Sequence, residues 1–201
     1  MFNCLLDIGS LLLLILAGII LYFLIKSKDI TYYVVPSITN SEFARETREI
    51  LTNSDISNKY SIREVSDRKY ADIIIELRSR ASLTKDHSKI EYYPGTNKQI
   101  RFSFTWQRPK PYVAIDDINW TYGVDESGLS LKEYRKYVIQ HEFMHALGFD
   151  HQPCNVETAK NGRCPVLYQA TRGPPLGFKA GYEVTDVDYT KKLENPYFNS
   201  L

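Results

Sequence analysis

The sequence predicts a mixed α/β (α+β) domain: a twisted sheet of about five strands, a long N-terminal helix, a histidine-bearing helix and a C-terminal helix, preceded by one transmembrane helix. Three observations predict it. Residues 8–25 carry no charge and are almost wholly apolar. Downstream, short runs rich in β-branched and aromatic residues are bounded by turn signals, as strands are. Two Ser/Thr-x-x-Glu signals, Thr39–Glu42 and Ser130–Glu133, mark helix starts.

The uncharged run holds 18 residues, and a helix needs roughly 17–25 to cross a bilayer. It shows no polar face, as a buried core helix would. It exceeds the usual length of a signal-peptide core, no basic segment precedes it and no small-x-small cleavage site follows. A retained anchor over residues 1–28 and one domain over 29–201 is therefore the expected organisation, a domain of that size being able to bury a core of its own.

Asp29–Val35 reads as the first strand, ending at Pro36. Thr39–Glu42 then opens a helix to about Asn53, with Phe43, Thr47, Ile50 and Leu51 on one face. Tyr60–Val65 alternates as a second strand. Ala71–Leu77 is a third, and its consecutive isoleucines suit a strand buried on both faces. Pro94–Asn97 is a turn, and Ile100–Phe104 alternates like a strand. Arg108-Pro109-Lys110-Pro111 cannot sit inside a sheet and is expected on the surface. Tyr112–Asp116 is the fifth strand. From Leu131, the positions Tyr134, Val138, His141 and His145 recur at helical spacing.

Composition excludes some classes. Lys and Arg number 25 against 24 Asp and Glu, so nothing favours a nucleic-acid partner. The 15 tyrosines and 9 phenylalanines are scattered and read as core and sheet residues. Cys154 and Cys164 bracket a polar loop that a disulfide would close, the alternative being two free thiols. Cys4 reads as an inert thiol beside the apolar run. Asp116 and Asp117 could hold a calcium ion, but adjacent aspartates are more often surface charges. His87 has no spaced partners and reads as a surface histidine.

The run His141-Glu142-Phe143-Met144-His145-Ala146-Leu147-Gly148-Phe149-Asp150-His151 fits H-E-x-x-H-x-x-G-x-x-H. Residues four apart share a helix face, so His141 and His145 can present two imidazoles to one ion. Gly148 ends the helix, because glycine takes the left-handed conformation without steric cost. That turn lets His151 return as a third ligand. Three protein ligands leave a fourth tetrahedral position open, as in a catalytic rather than structural zinc site. Glu142 can reach a water there without being a ligand. The competing reading is a helix whose histidines are merely buried and hydrogen-bonded.

This motif resembles that of the metzincin-type zinc metalloproteases, closest to the matrixin group. Tyr134–Val138 leading into His141-Glu142 also resembles a family of uncharacterised bacterial secreted zinc-motif proteins. The resemblance covers about residues 30–195. Ala71-Asp72-Ile73 resembles the run opening the family's central strand. Tyr112–Asp116 followed by Trp120 resembles its edge strand above the cleft, along which substrate pairs as an added strand. Cys164–Tyr168 lies where metzincins place a methionine turn under the metal, with Leu167 at the methionine's position. Gln169 stands where one subgroup has a ligating tyrosine. Thr171–Lys179 matches the loop walling the pocket beyond the scissile bond, and Val184–Leu193 the closing helix, with Thr185 as N-cap. No cysteine-switch propeptide is expected.

The apolar run and the resemblance together imply a membrane-anchored zinc endopeptidase acting on protein or peptide substrates. His141, His145 and His151 would hold one Zn2+, and Glu142 would activate a water on it as general base. The alternative is a zinc-stabilised, non-catalytic binding or structural module on a membrane, which has no need of Glu142. Sidedness draws opposed indications. Lys26 and Lys28 after the run favour a cytosolic domain, whereas the cysteine pair and the resemblance favour an extracytosolic one, which is the side expected.

Overall fold

The structure, a computed structural model, describes residues 29–184 except 87–90, 94, 101 and 108. The apolar run 8–25, Cys4, His87 and the expected C-terminal helix from Thr185 lie outside the described residues. Among those described, no helix is long and apolar enough to cross a membrane.

One five-stranded sheet carries the domain. Its strands are β1 (Ile30–Val34), β2 (Ile62–Glu64), β3 (Ile73–Arg78), β6 (Phe104–Trp106) and β7 (Tyr112–Asp116), in the order β2-β1-β3-β7-β6. The first four are parallel and β6 is antiparallel. A small antiparallel pair, β4 (Glu91–Tyr92) with β5 (Gln99–Ile100), stands apart. The helices are α1 (Phe43–Thr52), α2 (Asp55–Lys59), α3 (Arg80–Asp86), α4 (Asp117–Tyr122) and α5 (Leu131–Ala146). The mixed α/β class, the five-stranded sheet and the long N-terminal helix agree with the sequence reading.

The three isoleucines at the start of β3 behave as a central strand requires. Ile73 and Ile75 join the core with Val113 and Ile115, while Ile74 is buried on the opposite face. Helix α5 packs across that core, with Phe143 edge-on to Tyr32 of β1 at 6.1 Å. Phe43 of α1 stacks edge-on against Trp120 of α4 at 4.9 Å. Half-buried Arg135 ties the three helices: it donates to Trp120 O at 2.9 Å and to both Glu46 carboxylate oxygens at 3.0 and 2.9 Å.

Several expectations are corrected. Tyr112–Asp116 is not an edge: it pairs with β3 on one side and β6 on the other, and four of its five residues are buried. The edge on that side is β6, which pairs antiparallel with β7. The expected strand Ile100–Phe104 divides, Gln99–Ile100 going to the small pair and Phe104–Trp106 to the main sheet.

Thr39–Glu42 forms no capping box. Glu42 is itself helical, at φ −83° and ψ −19°, and its amide donates to Asn40 Oδ1 at 3.1 Å. Its carboxylate turns to Arg45 Nε at 2.8 Å instead of reaching back to Thr39. The Ser130–Glu133 box does form and starts α5, although Leu131 beside it is exposed rather than inward.

Asp116 is not a surface charge. It is 1% exposed, accepts from Arg80 at 3.0 and 2.7 Å, and caps α4 through Asn119 N at 2.8 Å. Asp117 accepts the Arg80 amide at 3.0 Å. Both carboxylates are thus committed to fixing α3 and α4, with no calcium role needed to explain them.

Candidate metal centre

The centre is built on the last turns of α5 and the chain immediately after it. His141 and His145 lie one turn apart on the same face. Each ring's Nδ1 lies 2.7 Å from a backbone carbonyl, Val166 O for His141 and Phe149 O for His145. A carbonyl only accepts, so each Nδ1 carries the proton and each Nε2 keeps its lone pair. Those two Nε2 atoms face each other 3.0 Å apart.

The return of His151 is a backbone consequence. Gly148 takes φ 91°, its amide donates to His145 O at 2.9 Å, and the Phe149 amide donates to Met144 O at 3.0 Å. That pair of bonds is a Schellman ending, which reverses the chain and brings Phe149 O to the His145 ring. His151 then closes the triangle, with its ring centroid 5.3 Å from that of His141 and 4.5 Å from that of His145. One ring nitrogen from each histidine lies within 4.8 Å of the others.

The donor set fits a metal ion. Two lone pairs 3.0 Å apart repel unless a cation or proton lies between them. Nitrogens bound to one tetrahedral zinc lie about 3.3 Å apart, from bond lengths of about 2.0–2.1 Å. All three rings are disposed to be neutral. His141 is held well below its ordinary pKa, by burial first and then by its neighbour His145. His145 is lowered to about 4, again by burial first and then by His151. His151 is lowered by burial, the Arg172 charge adding to the effect. Neutral imidazoles are what a metal requires. His141, His145 and His151 therefore form a group able to hold a metal ion.

Below the histidines runs the turn Pro165–Tyr168, closed by Tyr168 N donating to Pro165 O at 2.9 Å. Leu167 is fully buried in it, and its carbonyl accepts from Gln152 N at 3.1 Å, next to the third histidine. The same segment is fixed by a Cys154–Cys164 disulfide. The bonded alternative for those cysteines is thus the one found, and it closes the loop behind His151.

Glu142 is buried in α5 and lines the same cleft as the histidines. Burial pushes its carboxyl up to about 7, opposed by a hydrogen bond from Thr105. Thr105 Oγ1 lies 2.7 Å from Glu142 Oε2 and 3.0 Å from Glu142 O. Gln107, two residues along the edge strand, donates from Nε2 to His145 O. The cleft between β6, α5 and the turn measures about 730 Å³. Gln169 also lines it, with Oε1 buried. A carboxylate beside three convergent imidazoles can exchange a proton with a molecule bound in that space.

Sequence reasoning singled out the three histidines, Glu142 and the turn at Leu167, and the structure brings them together. It missed Thr105 and Gln107. Their signal was faint: alternation in Phe104-Thr105-Trp106-Gln107 sets the two polar side chains on the face opposite the aromatics. Arg172 at the cleft rim was also missed, since a lone arginine in a Gly/Pro loop carries no motif.

Fold and site together define a mixed α/β domain with a three-histidine, one-glutamate cleft. Residues 39–184 match the family DUF3152, described as a protein of unknown function, and the chain belongs to that family. No curated protein matches the chain.

Proposed function

We propose that this chain is a zinc-dependent endopeptidase with a metzincin-like catalytic domain, anchored in a membrane by residues 8–25. The observation that carries the reading is the pairing of three convergent neutral imidazoles with a buried glutamate that is not one of them. A zinc ion in that donor set would polarise a scissile carbonyl and make a water it binds more acidic.

The chain's own residues supply the rest. His141, His145 and His151 would hold the ion, the tautomers of the first two set by the carbonyls of Val166 and Phe149. Glu142 takes the proton from the attacking water and returns it to the leaving amine. Thr105 keeps the Glu142 carboxylate turned toward the cleft. β6 stands last in the sheet order, beside β7, and an extended peptide would add along that edge as another strand. Strand addition is therefore assigned to β6, in place of Tyr112–Asp116.

A non-catalytic zinc module would use the same histidines. It gives no reason for a carboxylate buried beside them and held by a dedicated hydroxyl. The Cys154–Cys164 bond favours an oxidising compartment, hence a domain outside the cytosol. The test is elemental analysis of the purified chain followed by digestion of a peptide library. Stoichiometric zinc and peptide hydrolysis that a chelator abolishes are expected. Zinc without hydrolysis of any peptide would replace the enzyme with the binding module.

A further inference from the structure

We propose that the end of the sheet where its parallel strands begin, around Arg68–Tyr70, Trp106, Lys110 and Tyr112, docks on anionic phospholipid headgroups of the bilayer that holds residues 8–25. This rests on the anchor reading above and adds to it the surface that meets the lipid.

The first observation is where the chain enters the domain. Strands β1, β2, β3 and β7 are parallel, so all four begin at one end of the sheet. Ile25, the last residue of the apolar run, and Thr31 of β1 are six residues apart in the chain, a span of at most about 22 Å. At that entry the Thr31 hydroxyl donates to Tyr70 O at 2.8 Å, and Lys110 Nζ donates to Ala71 O at 2.7 Å. The turn Arg68–Tyr70 and the segment leading into β7 are therefore fixed beside the strand that follows the anchor. Headgroups extend roughly 5–7 Å beyond each side of the hydrocarbon, and so short a tether keeps this end at a high effective concentration near them.

The second is the chemistry of that end. A pocket of about 550 Å³ opens there, with Arg68, Trp106, Pro109, Lys110 and Tyr112 in its lining. Trp106 and Tyr112 are partners across β6 and β7, with ring centroids 5.7 Å apart, and the Arg68 guanidinium carbon lies 6.0 Å from the Tyr112 ring. Thr105 points from β6 to Glu142 of α5, so Trp106, one residue on, faces the other side of the sheet. Tyr70 is 66% exposed beside them. Trp and Tyr set among Lys and Arg are what a membrane–water interface selects, because each ring has an apolar body and a polar tip. Lys69 shares its charge with Asp67 at 3.1 Å, so Arg68 and Lys110 carry the attraction to lipid phosphates. The Lys110 ammonium has three donors and uses one on Ala71 O.

The third is the relation of this surface to the cleft. Trp106 lines the pocket, and Gln107, next in the chain, lines the cleft of the three histidines. A domain docked through Trp106 would hold that cleft at the bilayer surface, where membrane-proximal segments of other proteins are the peptides within reach.

The experiment places the full chain in lipid nanodiscs made of phosphatidylcholine alone or mixed with phosphatidylglycerol, with phospholipids brominated high on the acyl chain as quenchers of tryptophan. The chain has two tryptophans; Trp120 is fully buried and serves as the internal reference, and Trp106→Phe identifies the Trp106 signal. Trp106 should be quenched more strongly in the phosphatidylglycerol discs, and added salt should relieve the difference. Arg68→Gln combined with Lys110→Gln should lower the ratio of docked to undocked domain about 25-fold, from about fivefold for each basic group near an anionic leaflet. Arg68→Gln alone, at an exposed position, should lower it about fivefold and guards against unfolding of the double variant, thermal melts being taken on each preparation. A chain that resists carbonate extraction, with Trp106 quenched equally in both lipids or unaffected by the substitutions, would overturn the docking surface and leave the anchor standing. A chain released by carbonate that still binds phosphatidylglycerol vesicles, and loses that binding with Arg68→Gln, would uphold the surface and remove the anchor. Release with no affinity for those vesicles would overturn both.

Discussion

Thr105→Val tests the link between the edge strand and the buried glutamate. The substitution keeps the β-branched shape and removes the hydroxyl 2.7 Å from Glu142 Oε2. Hydrogen bonds to charged groups contribute roughly 1.5–3 kcal/mol. Here the hydroxyl also lies 3.0 Å from the Glu142 backbone carbonyl, so it is shared and the lower end applies. A loss of about 1.4 kcal/mol from the transition state is tenfold in rate. Thr105→Val should therefore lower kcat about tenfold on a peptide that the parent cleaves, with KM little changed, because the hydroxyl orients the base and does not touch substrate. Thr105→Ser, which restores the donor, should recover most of the loss. Zinc content and the thermal melt are measured on the same preparations, so that lost metal or unfolding is not read as lost chemistry. A folded, zinc-loaded Thr105→Val chain within twofold of the parent, or a serine variant no faster than the valine one, would refute the role given to Thr105.

Other consequences follow from the same geometry. Cys154 and Cys164 should resist thiol labelling without reductant in natively produced protein, and Cys164→Ser should cost roughly 2.5–3 kcal/mol of stability from the loop-closure entropy of so short a loop, measured by denaturant unfolding. Leu167→Met should change unfolding free energy by less than about 1.5 kcal/mol and leave zinc content unaltered, the two side chains having similar volume. Arg80→Met should destabilise the fold by about 3 kcal/mol, because it strands the Asp116 carboxylate in the interior; denaturant titration checks it, and a neutral result would mean that solvent reaches Asp116.

The parts legible in the sequence were those set by local chemistry. The Ser130–Glu133 cap, the helical spacing of His141 and His145 and the glycine at 148 are short-range signals, and each acts in the structure as read. The isoleucines of β3 announced a buried strand because both of its faces are covered. What escaped reading depended on partners distant in sequence. Glu42 could cap or pair with Arg45, and only the folded chain decides. The place of Tyr112–Asp116 inside the sheet follows from its pairing with β3 on one side and β6 on the other, and strand order is not written in either strand alone. Asp116 looked like a surface charge because Arg80, its partner, lies 36 residues away. Thr105 meets Glu142 across 37 residues, so no motif joins them. The turn at Leu167 was legible only through its family resemblance, since leucine in a loop carries no chemistry of its own.

The central claim is that Glu142 acts as a base beside a metal held by three histidines. It is tested most directly by peptide hydrolysis with the zinc-loaded full chain and its Glu142→Ala variant, zinc being quantified in both. The account predicts equal zinc in the two proteins and a fall in hydrolysis of at least about 10²-fold in the variant, the lower bound for general-base catalysis. A variant that cleaves peptides as fast as the parent would contradict it.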